Sequence, residues 1–226
     1  MWTYNYADRN YFPGEYTAAY ITCSEKKADW KTHKKVCAAN AQANAGSGTQ
    51  SAADANATQS TKALEADFPK PFHRLDAKTW LHDRTEKDTY KLLIDTYRLR
   101  LDDDYTFTGD VDADSIYGGA TDGGRAGFRR FLKRVERNPD LLPRWWTPAK
   151  AEECMRYGTD SASWSDLGCA VEKHDVSEHY GNQLMPMQLR MFGEQVLGTG
   201  PGGQKGAAMM KMQMAVESGG GSASTH

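Results

Sequence analysis

The stretch from Ala38 to about Lys62 decides how this chain can be organised. It is written almost wholly in Ala, Asn, Gln, Ser, Gly and Thr. None of those side chains is large and apolar, so burial cannot offset a backbone ordering cost of about 1–2 kcal/mol per residue. The tract reads as a low-complexity, disordered linker over residues 38–63, and the sequences on either side are expected to behave as independent bodies. Four parts follow: a short segment over residues 1–37, the linker, a core-forming block over 64–198, and a Gly-rich flexible tail over 199–226.

The short segment holds soft-ligand chemistry. Lys27 to Cys37 can form one basic helix, on which His33 and Cys37, four residues apart, share a face. Cys23 lies upstream on a predicted turn. Thiolate and neutral imidazole at H-x3-C spacing suit tetrahedral zinc, so Cys23, His33 and Cys37 are the candidate metal ligands. The plainer alternative is a lone histidine and two small hydrophobic cysteines, because so short a pattern also arises by chance.

The run Lys27-Ala28-Asp29-Trp30-Lys31-Thr32-His33-Lys34-Lys35-Val36-Cys37 resembles the second half of a MYND-type zinc finger. That family ends its module in Y-C-S-x-x-C-Q-x-x-D-W-x-x-H-K-x-x-C. Tyr20, Asp29, Trp30, His33, Lys34 and Cys37 fall on its positions without a gap, while the two expected cysteines fall on Ile21 and Glu25. Taking Cys23-Ser24-Glu25-Lys26 as the family's C-S-x-x instead removes the C-Q pair. Residues 1–22, where further C-x2-C pairs would belong, contain neither Cys nor His. The resemblance is to a truncated or degenerate finger with three ligands where structural zinc takes four.

Composition narrows the setting. A net charge of -2 over 226 residues makes no overall case for nucleic acid or an anionic membrane. No run of eighteen apolar residues suggests a spanning helix, and the N-terminus does not read as a secretory signal. Four cysteines at 23, 37, 154 and 169 do not form a disulfide framework. A reducing compartment, cytoplasmic or nuclear, is expected.

The block after the linker reads as mainly α-helical. Phe68-Pro69-Lys70-Pro71-Phe72 is expected to be extended along the domain edge. Thr85 with Asp88 suggests a capped start to a helix from about Glu86 to Leu101, with Tyr90, Leu93, Ile94, Tyr97 and Leu101 as its buried stripe. A helix from about Gly124 to Arg137 should turn Phe128, Phe131, Leu132 and Val135 inward and stop at Asn138-Pro139. Thr147-Pro148 opens another, ending at Tyr157-Gly158. Further helices are expected over Trp164–Glu172 and Pro186–Leu197. The Met-rich run from Ala207 to Met214 reads as a frayed helix in a loose tail, or as an adaptable helix for a partner.

Other constellations carry chemistry in outline. Asp102, Asp103, Asp104, Asp110, Asp112 and Asp114 gather six carboxylates, of which Asp110-x-Asp112-x-Asp114 imitates the start of an EF-hand, yet Ser115 and Thr121 stand where the loop needs Gly and Glu, so an acidic solvated loop is expected. Cys154, Cys169, His174 and His179 invite a zinc or Cys/His reading, against buried cysteines on apolar-flanked helices. His174-Asp175-Val176-Ser177-Glu178-His179 contains the letters of a hydrolytic triad, too close in sequence to converge. Gly118, Gly119, Gly123, Gly124 and Gly127 precede a basic helix and could cradle phosphate, or form a flexible loop. Trp80, Trp145, Trp146 and Trp164 could build a ligand surface, or simply pack.

The MYND resemblance implies a non-catalytic adaptor that docks a protein or proline-containing peptide, with zinc as cofactor and no enzyme activity. The layout of finger, linker and block also looks similar to uncharacterised MYND-finger proteins of filamentous fungi. No small-molecule substrate or membrane partner is evident. One alternative is a mitochondrial translation or RNA factor with a MYND finger; the N-terminus is not Arg-rich, and only the Arg125–Arg137 helix approaches a basic stripe. The other is a relative of SET-type lysine methyltransferases, against which stands the lack of the Asn-His dipeptide of that fold.

Overall fold

The longest helix begins at Thr85, whose hydroxyl accepts a hydrogen bond from the Asp88 amide at 3.3 Å. In the computed structural model, which describes residues 62–219, this helix is one of seven, and no strand occurs among the described residues. In chain order they are α1 (Pro71–Asp76), α2 (Glu86–Thr108), α3 (Arg125–Glu136), α4 (Pro148–Tyr157), α5 (Lys173–Tyr180), α6 (Met185–Leu197) and α7 (Ala207–Glu217). The mainly helical expectation holds for this block. Residues 1–61 lie outside the described residues, and with them Cys23, His33, Cys37 and nearly all of the expected linker.

Helix α2 is the axis of the fold. From Asp88 to Leu99 every residue but Lys91 is buried, so the expected single stripe becomes a helix enclosed on all sides. Tyr90, Leu93, Ile94 and Tyr97 are buried as expected; Leu101 is half-buried and packs against the core. The helix also runs past Leu101 to Thr108, ending where Gly109 adopts φ 72°. Three aspartates near a helix C-terminus oppose the helix dipole. Here each has a partner: Asp102 accepts from the Tyr117 hydroxyl at 3.0 Å, Asp103 from Arg190 Nε and Nη2 at 2.8 and 2.6 Å, and Asp104 from Arg100 at 2.7 Å. Of the expected acidic loop, Asp102 to Asp104 are therefore the last turns of a helix, while Asp110, Asp112 and Asp114 lie beyond its end in an irregular segment.

Two other expectations are corrected. Residues 164–172 are not helical; the helix is α5, starting at Lys173. Short side chains upstream bond their own backbone instead: Asp160 Oδ1 accepts from Ala162 N at 3.0 Å, Ser163 Oγ from Ser165 N at 3.2 Å, and Asp166 Oδ1 from Gly168 N at 2.9 Å. Each such turn competes with a helical bond. The segment around Pro71 is not an extended edge either. Lys70 turns through φ 54°, Pro71 opens α1, and Phe72 and Leu75 are buried.

Helix α7 is ordered and attached. Met210 and Met214 pack against the core, while Met209, Met212 and Val216 face outward. The Glu217 carboxylate accepts from the amides of Phe72 at 2.9 Å and His73 at 3.1 Å, and lies 2.6 Å from His73 Nδ1. A side chain of the last described helix thus caps the first. At the other end, the Lys62 amide donates to the Tyr180 carbonyl at 3.0 Å, and Asp88 accepts from Glu65 N at 2.9 Å, so anchoring begins slightly before residue 64.

Helices α3, α4 and α6 match expectation within a residue or two. Thr147 caps α4 with a 3.3 Å bond from Lys150 N, and Gly198 at φ 84° ends α6. No helix among the described residues is long and apolar enough to cross a membrane.

Candidate functional site

Helix α3 divides cleanly around its circumference. Phe128, Phe131, Leu132 and Val135 are buried, and Tyr97 of α2 lies 5.5 and 5.7 Å from the two phenylalanine rings. The outward half holds Arg125, Arg129, Arg130, Lys133 and Arg134, with Arg137 as its C-cap. Arg130 is held by Asp112 and Asp114. The other five cations have no carboxylate partner among the described residues. The one acid of this helix, Glu136, accepts from the Trp146 indole at 3.3 Å. At the amino end Asp122 accepts from Gly124 N at 3.0 Å and Ala126 N at 2.7 Å. Two of the amides that a phosphate would use are thereby engaged, and Gly123 and Gly124 make the turn at φ 67° and 84°.

A cleft of about 490 Å³ lies between α2 and α3, within the range of roughly 300–1,000 Å³ common for small-molecule sites. One turn-spaced row of each helix lines it: Tyr97, Arg100, Leu101 and Asp104 from α2, and Gly127, Arg130, Phe131 and Arg134 from α3. The Tyr97 hydroxyl presses on Gly127, leaving no room for a Cβ there. Asp110, Val111, Asp112, Ser115 and Tyr117, with Leu197 and Thr199, complete the walls. Arg100 is spent on Asp104 and on the Thr199 carbonyl, each at 2.7 Å. The Tyr97 hydroxyl is buried without a hydrogen-bond partner.

A second polar cluster lies on another side of α2. Asp95 is fully buried; Oδ1 accepts from Arg98 at 2.8 Å, and Oδ2 from the Tyr180 hydroxyl at 2.6 Å and the Trp164 indole at 3.2 Å. Arg98 also donates to the carbonyls of Trp164 at 2.8 Å and Cys169 at 3.0 Å. His179 stacks on Trp164 with centroids 4.1 Å apart. All these groups are consumed in pinning the irregular 159–172 segment onto α2.

Burial pushes His179 down from 6.5 to about 4. Between those values the unfolded chain takes up a proton that the fold refuses, so this group removes stability as pH falls. Burial above all raises Asp102 from 3.8 to about 6, although the Tyr117 hydrogen bond pulls the other way. Over that window the fold keeps a proton that the unfolded chain releases, so Asp102 removes stability as pH rises. The two slopes oppose. Thermal unfolding across pH 4–6.5 is expected to flatten or reverse its acid loss in His179→Phe and to show a steeper loss in Asp102→Asn.

The remaining sequence candidates are not brought together. Cys154 is buried, its thiol pushed up by desolvation, whereas half-buried Cys169 sits in a turn rather than on a helix and points to Asp166 at 3.4 Å. His174 is exposed and pairs with Glu178 at 2.8 Å; Ser177 donates to the Lys173 carbonyl at 3.1 Å. Among the described residues no group of three or more His, Cys, Asp or Glu side chains is arranged to hold a metal ion. Trp80 is core, and Trp145 and Trp146 meet Tyr90 edge-on at 6.4 and 6.2 Å. The cleft escaped sequence reading because Tyr97 counts as core and Gly127 as loop until the two helices meet.

Comparison with protein-family models, with curated proteins and with solved structures finds no match to this chain.

Proposed function

We propose that the chain is a non-catalytic docking protein of the cytoplasm or nucleus, whose helical body receives an acidic segment of a protein partner along α3. The observation that carries this reading is the outward half of α3, where Arg125, Arg129, Lys133, Arg134 and Arg137 stand without a carboxylate partner among the described residues. Arg125, Arg129 and Lys133 are spaced by four, which sets them about 6 Å apart along the helix. An acidic peptide lying along them would gain several charge-assisted bonds. A protein partner is favoured over nucleic acid because the aromatic rings of α3, Phe128 and Phe131, are buried and offer no stacking platform.

The proline-containing peptide implied by the MYND resemblance is the proposed ligand of residues 1–37. Its zinc rests on Cys23, His33 and Cys37, one donor short of the four that a structural site takes. The ligand set therefore does not complete such a site, and the docking role proposed for the body does not depend on it.

Fluorescence polarisation with a labelled Glu-rich peptide tests the docking reading. Binding by the full chain should weaken with added salt and fall roughly tenfold or more in the double variant Arg129→Glu, Lys133→Glu. An unchanged affinity in that variant refutes the assignment to α3. Tighter retention of labelled poly(U) than of the peptide transfers the face to nucleic acid.

A further inference from the structure

We infer that the segment docking on α3 is extended, with acidic residues at alternate positions and, at one end, a large apolar side chain that sits on Trp145 and Trp146. The inference rests on the docking role proposed above and adds the form of the partner.

The pitch of the cations comes first. Arg125, Arg129, Lys133 and Arg137 succeed one another by four residues, and all are exposed. Arg137, at φ -72° and ψ -13°, keeps the helical course beyond Glu136. Four residues advance a helix by about 6 Å and carry it about 40° past a full turn. The row therefore climbs about 18 Å while winding about 120° around α3. A second helix is straight and leaves such a row after one or two contacts. An extended chain bends with it, and its alternate side chains, about 6.6 Å apart on one side, keep step with the cations.

The protein supplies its own example of the pairing. Asp112 and Asp114, two positions apart, both meet the guanidinium of Arg130, Asp112 through both oxygens at 2.8 Å. Carboxylates at that separation are thus taken by a cation of this helix. Among the described residues the internal pair reaches none of the four cations in the row.

The third observation lies where the row ends. The Trp146 indole donates to Glu136, the neighbour of Arg137, at 3.3 Å, so the turn through Arg144, Trp145 and Trp146 adjoins the row. Both tryptophans are half-buried, meeting Tyr90 edge-on and keeping surface open to solvent. The Trp145 indole N–H has no hydrogen-bond partner among the described residues, and exposed Arg144 has no carboxylate partner there. Half-open tryptophan beside uncompensated arginine is the composition that carries binding energy at protein interfaces.

The test titrates the ¹⁵N-labelled full chain with capped peptides of one composition, Glu-Ser-Glu-Ser-Glu-Ser-Glu and Glu-Glu-Glu-Glu-Ser-Ser-Ser. The alternating peptide is expected to bind roughly threefold tighter or better. Arg137→Gln should weaken it more than the blocked peptide, whose acids span too little to reach both ends of the row. Lys173→Gln, on α5, should change either affinity less than about twofold. Adding Phe at one end of the alternating peptide should tighten binding several-fold and move the Trp145 and Trp146 indole signals, the favoured end fixing the direction of the chain. Equal affinities for the two peptides, both lost in the double variant Arg129→Glu, Lys133→Glu, would leave the docking face standing and overturn the extended form. Binding of neither peptide would refute the docking face and the form together. A Phe without effect at either end, or with the two indole signals unmoved, removes the tryptophans from the surface.

Discussion

Asp95→Ala is expected to cost about 3–5 kcal/mol, the range for removing one member of a buried ion pair. Against a total stability of roughly 5–15 kcal/mol, that leaves the helical body marginal or unfolded at room temperature. One carboxylate satisfies three donors, the buried Arg98 and Tyr180 and the half-buried Trp164. Its loss strands a guanidinium that is itself 3% exposed. Asp95→Asn should be milder, since one amide oxygen still accepts, but its NH₂ then faces a donor. Replacing both charges by apolar groups would not restore stability, because Arg98 also serves the carbonyls of Trp164 and Cys169. Urea unfolding with a fitted slope measures this directly. A loss below about 1 kcal/mol in Asp95→Ala would mean that apolar packing, not this network, holds residues 159–172 on α2.

Gly127→Ala is expected to destabilise, against the usual direction. In a helix interior that change ordinarily gains about 0.5–1 kcal/mol. Here the added methyl would collide with the Tyr97 hydroxyl and stand 2.9 Å from the Asp114 carbonyl oxygen. Tyr97 cannot retreat easily, because its ring is packed against Phe128 and Phe131. Overpacking of this kind costs about 1–3 kcal/mol, which outweighs the helix term. The double variant Gly127→Ala, Tyr97→Phe removes the first collision and leaves the carbonyl, so it should recover part of the loss. A double-mutant cycle without coupling between the two positions would contradict the contact.

Helices that announce themselves locally were legible in the sequence. Thr147-Pro148 marked the start of α4, and the apolar row from Phe128 to Val135 marked the buried side of α3. What the sequence concealed was tertiary in origin. The aspartates after Leu101 look like a helix terminator until Arg190, 87 residues beyond Asp103, arrives to neutralise one of them. The apolar-flanked stretch from Trp164 to Glu172 looks helical until its Asp and Ser side chains are seen bonding their own backbone. The cleft needs rows from α2 and α3 brought face to face, and no local pattern records that meeting. The ligand set Cys23, His33 and Cys37 lies outside the described residues.

The Glu217 cap has a consequence for how the body is made. Phe72 and the carboxylate that receives its amide proton are 145 residues apart in the chain. A ribosome therefore delivers α1 long before the group that completes it, and that helix must wait, its leading amides turned to water, through the synthesis of everything between. Closure of the body is then a late event that follows translation of α7, and nascent chains halted before that point should be cut by proteases around Pro71–Asp76.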